Sequence, residues 1–150
     1  MELSEIEDRL KIHDLFARYM RAVDTWNEPE LLACFTEDGA LETPILGGRF
    51  AGREGQRQFV ANGRKNGQDR QSRHLFTNLE VELDGEHAHA RAYLAVTSTR
   101  DGKTAIFATG SYDCGSARLM ADGSFPSGRY SLTVSHNALC SVQPPQAYPY

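Results

Sequence analysis

The chain has 150 residues, 40% of them hydrophobic and 24% charged, and its formal net charge is −4. This balance excludes a disordered chain and is typical of one folded domain that buries roughly two-thirds of its unfolded surface. The basic residues are scattered, the amino terminus is acidic and no run approaches ~18 apolar residues. We therefore expect no nucleic-acid partner, no targeting signal and no membrane span.

The first half of the chain has the periodicity of helices, with apolar residues recurring every three to four positions. Two segments begin with the spacing of a capping box, in which the N-cap residue precedes a Glu by three positions: Ser4 with Glu7, and Asn27 with Glu30. We predict helices over 4–24 and 27–35. An irregular hairpin over 39–52 and a third helix over 53–62 follow.

From Ser72 onward the apolar residues alternate with polar ones, which is typical of half-buried strands. The predicted strands are 72–83, 87–99, 104–116 and 129–139. The proline-rich residues 143–150 are predicted to form a tail outside a domain of residues 1–142. Helices followed by a meander of long strands predict an α+β fold, in which helices cover one face of a curved, mostly antiparallel sheet.

The alternation of the first long strand divides its residues between two faces. It places Leu75 and Leu79 on the apolar face, and His74 with Glu80 on the opposite, solvated face. Phe76 shares the face of His74, however. The start of this strand is therefore either covered on both faces or redirected by a β-bulge.

The end of the first predicted helix raises a physical question about Asp24. The C-terminal end of a helix disfavours a carboxylate by ~0.3 to 1 kcal/mol, so that a cation or a hydrogen-bond donor should compensate. The alternative is an exposed aspartate that starts the turn "DTWN". The five histidines of the chain are the candidates for a partner, and His74, at the start of the first long strand, is the most informative of them.

The residue types that bind metals or form disulfides give weak signals. His87 and His89 point to the same side of a strand, but no third ligand has a suitable spacing. We expect no metal and keep a site at these two histidines as an alternative. The cysteines Cys34, Cys114 and Cys140 contain no CxxC pair, and we interpret them as reduced thiols of a cytoplasmic protein.

Four motifs occur in order along nearly the whole chain: Y-x4-D at Tyr19 and Asp24, G-R-E at residues 52–54, RH-x2-TN at residues 73–78 and G-x-Y-D at residues 110–113. With this order and spacing the sequence resembles the SnoaL-like branch of the nuclear transport factor 2-like superfamily. The resemblance implies a cone-shaped α+β barrel, in which N-terminal helices pack into the concave side of a strongly curved sheet. Members of the branch include cofactor-free dehydratases and a dehydrochlorinase that use a histidine and an aspartate, so no cofactor is expected.

The resemblance also implies roles for individual residues. Asp24 and His74 correspond to a catalytic dyad, in which Asp24 orients the imidazole and His74 is the base. Tyr19 would act as an acid or an electrophile by donating a hydrogen bond to a leaving hydroxyl or an enolate oxygen, and Arg129 would stabilise negative charge on the opposite side. The residues expected to contact the substrate are Met20, Phe59, Phe76, Asn78 and Tyr112.

These expectations lead to a cofactor-independent lyase, a dehydratase or related elimination, that acts on a small hydrophobic cyclic or aromatic substrate. An isomerase that works through an enolate and a non-catalytic small-molecule-binding module are the alternatives. The outward sheet face is predicted to carry Tyr93, Thr97 and Thr99. Because the open sheet faces of the superfamily usually pair with another copy, we also expect a homo-oligomer, either a dimer or a trimer.

Overall fold

The computed structural model describes residues 2–43, 46, 48–67, 71–85, 87–115 and 134–135. The helices within these ranges are α1 (Leu3–Thr25), α2 (Glu28–Ala33) and α3 (Gly52–Asn66). The strands are β1 (Ala40–Thr43), β2 (Gly48–Ala51), β3 (Gln71–Asp84), β4 (His87–Arg100), β5 (Lys103–Gly115) and β6 (Val134–Ser135).

The two predicted helix starts differ in their outcome. At α2 the Asn27 side chain accepts a hydrogen bond from the Glu30 N–H at 3.4 Å, as the spacing predicts. At α1 the cap is Glu2 rather than Ser4, because Glu2 and Glu5 form the reciprocal capping box and the Glu2 N–H donates to Glu5 Oε2 at 3.0 Å. The N-cap thus lies two residues before the predicted one, and the helix begins at Leu3.

Helix α3 continues one turn past its predicted end at residue 62 and reaches Asn66. The sequence from Gly63 onward has the composition of a loop, and glycine is a poor helix former. In the structure, however, Gly63 lies against the indole of Trp26, and the basic residues of the last turn suit the negative end of the helix. Tertiary packing therefore outweighs the local propensity.

The strands form a mostly antiparallel arrangement that the helices cover on one side. Strands β3, β4 and β5 form an antiparallel meander, while β1 pairs antiparallel with β2 and parallel with β6. Helix α1 packs on β3. The predicted α+β class is confirmed, and the sheet is curved without closing in the part of the chain that the structure describes.

The core lies between α1 and the concave face of the meander. The inward face of α1 buries Ile12, Leu15, Phe16, Tyr19, Met20, Ala22 and Val23. Every second residue of β4 faces them, and the buried set is Ala88, Ala90, Ala92, Leu94 and Val96. The small residues at one end of β4 leave room for a closer approach of the helix than the larger ones at the other end.

A β-bulge in β3 reverses which residues face inward. Thr77 pairs with Tyr93 and Glu80 pairs with Arg91, so that three steps along β3 oppose two steps along β4. Asn78 has a φ of 54°, a left-handed conformation that asparagine tolerates better than most residues. Strict alternation therefore fails here, since a bulge inserts one extra residue.

The bulge corrects the predicted faces of β3. His74 and Phe76 point toward the helices before it, and Leu79, Val81 and Leu83 do so after it. Leu75, which strict alternation places in the core, lies on the outer face and is 51% exposed.

Two leucines on either side of the bulge give a matched test of this arrangement. Leu79→Ala removes a side chain that packs against the core, and we expect it to lower the free energy of unfolding by about 2 kcal/mol. Leu75→Ala changes an exposed side chain and should lower it by less than ~0.5 kcal/mol. Urea denaturation of both variants measures the difference. Equal losses would show that both leucines are buried and that the bulge is absent.

The outer face of the meander also carries the exposed side chains of Tyr93 and Ile106. A homo-oligomer formed through this face stays a prediction. In the described ranges no helix has the length and apolarity needed to cross a membrane. Arg129, Cys140, the tail at 143–150 and most of the predicted strand at 129–139 lie outside the described residues.

Candidate active site

Helix α1 ends in a Schellman motif just after Asp24. The Trp26 N–H donates to the Val23 carbonyl at 3.2 Å, and the Asn27 N–H donates to the Ala22 carbonyl at 2.9 Å. Trp26 occupies the left-handed position of the motif, with a φ of 49°. The motif satisfies carbonyls of the last turn and turns the chain away, so Asp24 projects from the final turn of the helix toward β3.

The partner that compensates Asp24 is His74, as the sequence predicts for a carboxylate at this end of a helix. Oδ1 of Asp24 lies 2.7 Å from Nδ1 of His74 and also accepts a hydrogen bond of 2.9 Å from the His74 backbone N–H. The two side chains are only 11% and 18% exposed, respectively. Two donors on one carboxylate oxygen fix both side chains and offset the unfavourable helix end.

This contact also determines which ring nitrogen of His74 carries the proton. An ionised carboxylate can only accept hydrogen bonds, so the neutral imidazole must be protonated at Nδ1 to bind Asp24. Nε2 is then left with its lone pair. His74 lines a cavity, so the unprotonated Nε2 is the ring nitrogen left to contact a ligand there.

The cavity lies between the end of α1, helix α3 and the meander, and it has a volume of about 70 Å³. Most of its described lining is apolar or aromatic: Val23, Trp26, Leu46, Phe59, Leu94, Val96, Phe107 and Tyr112. Its polar lining groups are Tyr19, Thr43, Ser72 and His74. A small number of polar groups in an apolar enclosure is the usual composition of a small-molecule site.

Two buried tyrosines line this cavity, and both stay protonated. Burial raises the pKa of the Tyr19 hydroxyl far above its usual value, and nearby Cys114 and Cys34 add to the rise. Burial also raises the pKa of Tyr112, with Tyr19 as the next largest cause. The Tyr112 hydroxyl donates to Met20 Sδ at 3.7 Å. The Tyr19 hydroxyl has no such partner among the described residues, so it remains available as a neutral hydrogen-bond donor.

The structure brings together some of the predicted site residues and separates others. Tyr19, His74, Phe59 and Tyr112 line the cavity, and Asp24 lies directly behind His74. Three predicted substrate contacts do not line it. Met20 accepts a hydrogen bond from the Tyr112 hydroxyl, the partly buried Phe76 packs against His13 and Phe16 of α1, and Asn78 lies in a groove of the outer face.

The bulge explains the position of Asn78. Within the bulge, the backbone of Asn78 is left-handed and its side chain is exposed. Phe76 does point inward, but the first half of α1 fills the space in front of it. Arg129 lies outside the described residues, so the predicted position of its side chain stays a prediction.

Several lining residues were not predicted from the sequence, and one of them, Ser72, carries a local signal. Ser72 precedes His74 by two positions and therefore shares its face of β3. Phe107 is the extra residue of a second bulge, since Val96 pairs with Ala108 while Thr97 pairs with Ile106. The positions of Trp26 and Leu46 depend on packing between distant segments, which local patterns do not report.

The alternative metal site at His87 and His89 receives no support from the geometry. His89 Nε2 lies 2.6 Å from Asp113 Oδ1 on the exposed face, which is a pairing of two side chains rather than the start of a ligand set. Among the described residues no group of three His, Cys, Asp or Glu side chains is arranged to hold a metal ion.

Comparison with protein families decides where the chain belongs. The model of the SnoaL-like domain matches residues 4–120, which include α1 to α3 and the whole meander. The chain belongs to the SnoaL-like family. This SnoaL-like domain has no match among curated proteins.

Solved structures support the same fold for the SnoaL-like domain. A protein described as a candidate aromatic ring hydroxylase from Novosphingobium aromaticivorans is 28% identical, with a TM-score of 0.69 over 89% of this chain and 90% of that one. An NTF2-like protein with a cystatin-like fold from the same organism is 21% identical, with a TM-score of 0.75, and the match covers 89% of this chain and 83% of that one. LinA is 16% identical, with a TM-score of 0.74, and the match covers 91% of this chain and 88% of LinA. The latter two likenesses concern the fold alone.

Proposed function

We propose that this SnoaL-like domain is a cofactor-independent lyase in which His74 removes a proton from carbon and a β leaving group departs. The observation that carries the proposal is the 2.7 Å contact between Asp24 Oδ1 and His74 Nδ1 at the wall of an apolar cavity. A carboxylate in this position stabilises the imidazolium that forms when Nε2 takes a proton. A ligand carrier has no need of such a pair.

The proposed elimination needs only side chains that the site contains. Nε2 of His74 takes the proton α to a carbonyl, and the electron pair of the C–H bond moves onto the carbonyl oxygen to give an enolate. The enolate then re-forms the carbonyl, the C–O bond at the β carbon breaks, and the imidazolium returns its proton to the leaving hydroxyl as water. Histidine suits both transfers because its ordinary pKa of ~6.5 lies near neutral pH.

Tyr19 is proposed to stabilise the enolate as a hydrogen-bond donor. Its raised pKa makes full proton transfer to the substrate unfavourable, so that it acts by donating a hydrogen bond while staying neutral. Such a donor serves an isomerisation through the same enolate equally well. Movement of a double bond in an unsaturated ring ketone is therefore the second candidate reaction.

The lining supports a small, neutral ring compound as the substrate. No Lys, Arg, Asp or Glu side chain lines the described part of the cavity, so these lining residues offer an anionic substrate no charged partner for the hydration that it would lose. The aromatic side chains Trp26, Phe59 and Phe107 offer flat surfaces instead. A hydroxylated ring ketone combines the required carbonyl, acidic C–H bond and leaving group.

The experiment that tests this function uses purified protein with a β-hydroxy cyclohexanone, with and without a chelator. Loss of water gives a conjugated enone, which is followed by its ultraviolet absorbance. A β,γ-unsaturated cyclohexenone tests the isomerase with the same readout. We expect turnover that the chelator does not change. Tight binding of both ketones without turnover in either assay would contradict the enzymatic proposal and favour the binding module.

Tyr19→Phe tests the proposed donor separately from the base. Removal of the hydroxyl should lower kcat by about 10- to 100-fold, at or below the effect of deleting one oxyanion-hole donor. The melting temperature should change little, because the hydroxyl has no partner in the described part of the chain and the ring still packs edge-on against Phe35 and Tyr112. Steady-state kinetics and thermal denaturation measure the two effects. An unchanged kcat would exclude Tyr19 from the reaction.

A further inference from the structure

Trp26 occupies a backbone conformation that its side chain does not favour. Its φ of 49° places it in the left-handed region, where helices usually end with glycine. A bulky residue remains in such a conformation only when its surroundings hold it there. The contacts of the indole therefore suggest what this side chain does.

Helix α3 makes three contacts with Trp26 on the side opposite the cavity. The indole packs edge-on against Phe59 with ring centroids 5.5 Å apart. The Trp26 carbonyl accepts a hydrogen bond of 2.9 Å from Arg64 Nη2. At Gly63 the ring lies directly on the helix backbone, because an added Cβ atom would be only 1.9 Å from Trp26 Cη2, far below the 3.0 Å that real contacts respect.

The other side of the indole lines the cavity next to the reacting groups. The cavity volume of about 70 Å³ is below the ~150 Å³ of an engineered cavity that binds benzene. A ring ligand that enters this cavity completely therefore needs part of the lining to move. Tyr19, Val23, Phe59, Leu94, Val96 and Tyr112 are buried in the core, whereas Trp26, Leu46 and Phe107 are only partly buried. Of these three residues, Trp26 has the largest side chain, and it rests on a glycine, Gly63. The indole N–H has no hydrogen bond among the described residues, so packing alone holds the ring.

We propose that the Trp26 indole, resting on the bare backbone of Gly63, is the adjustable wall of the cavity and sets the size of the ring that the site accepts. The inference rests on the proposed function only for the statement that the bound ring is a substrate. A smaller side chain at position 26 widens the cavity. A side chain at position 63 pushes the indole away from α3 into the cavity and narrows it.

The test measures binding of two neutral ketones that differ by one ring, cyclohexanone and decalone. Trp26 is the only tryptophan in the chain, so a change in its fluorescence on adding either ketone reports occupancy at this wall. Isothermal titration calorimetry gives the dissociation constants for every variant. The quantity compared is the ratio of the decalone constant to the cyclohexanone constant.

Two variants should move this ratio in opposite directions. Trp26→Phe should lower it by about 10-fold, and Gly63→Ala should raise it by about 10-fold, the low end of what one methylene group is worth in an apolar pocket. Asn62→Ala, a substitution at the neighbouring position of α3, is the matched control and should leave the ratio unchanged. In the Trp26→Phe background, Gly63→Ala should change the ratio of dissociation constants much less, because the indole ring atoms that the added methyl group would displace are absent.

A ratio that stays the same in folded Trp26→Phe protein would overturn the proposal, whatever Gly63→Ala does. Circular dichroism establishes that each variant is folded. These measurements need no turnover, so they remain decisive even if His74 proves to have no catalytic role. Conversely, if a His74 variant loses catalysis but keeps the wild-type ratio of dissociation constants, the result bears on the proposed function and not on the role of Trp26.

Discussion

Replacement of His74 by Ala is expected to lower kcat for the elimination by about 10²- to 10⁴-fold, the usual contribution of a positioned general base. The variant keeps the apolar lining but loses the nitrogen that takes the proton. KM should change less than kcat, because the base acts mainly in the transition state. Steady-state kinetics on the wild type and the variant measure both constants.

The chain offers a closely matched control for this substitution. His89 also contacts a carboxylate, Asp113, at 2.6 Å, but this pair lies on the exposed outer face. His89→Ala should therefore leave kcat within about twofold of the wild type, as is usual for a substitution far from the reacting atoms. If both variants keep full activity, the base lies elsewhere and the proposed mechanism is wrong.

Replacement of Asp24 is expected to have the second largest effect, and two substitutions separate its causes. Asp24→Ala leaves the half-buried His74 N–H and Nδ1–H without their acceptor, and it should lower the free energy of unfolding by roughly 1–3 kcal/mol. Asp24→Asn keeps an acceptor oxygen but removes the charge that stabilises the imidazolium. We expect both variants to lose about 10²-fold or more in kcat, while only Asp24→Ala is strongly destabilised.

Urea denaturation and steady-state kinetics on the two Asp24 variants measure this separation. Asp113→Asn on the outer face is the control for loss of a histidine-bound carboxylate. An Asp24→Asn variant with wild-type kcat would mean that the carboxylate has a structural role only. The contact with His74 would then explain how α1 is anchored to β3, but not catalysis.

The fold could be predicted from the sequence because its determinants are local and periodic. The N-cap at Asn27, the change of period at Ser72 and the meander turns are each set by neighbouring residues. The prediction failed where tertiary contacts override local preference. Helix α3 passes through Gly63 because Trp26 lies on it, and β3 changes face at Asn78 because one extra residue is inserted.

In the candidate site, too, the locally determined features could be predicted and the features set by tertiary contacts could not. A carboxylate at the unfavourable end of a helix indicates that a partner exists, and the order of motifs identified His74 as that partner. The cavity wall could not be predicted, since Trp26, Leu46 and Phe107 approach it from segments distant in sequence. Strict alternation also misplaced Leu75, because periodicity alone cannot report a bulge.

The measurement that most directly tests the central claim is the ¹⁵N NMR spectrum of the His74 ring in the resting protein. The signals are assigned by their loss in His74→Gln. With Asp24 bound to the imidazole, we predict that the neutral form of the ring is protonated at Nδ1 and bare at Nε2. A neutral form protonated at Nε2, or an even mixture of the two tautomers, would contradict the account, because Nε2 could not then serve as the base.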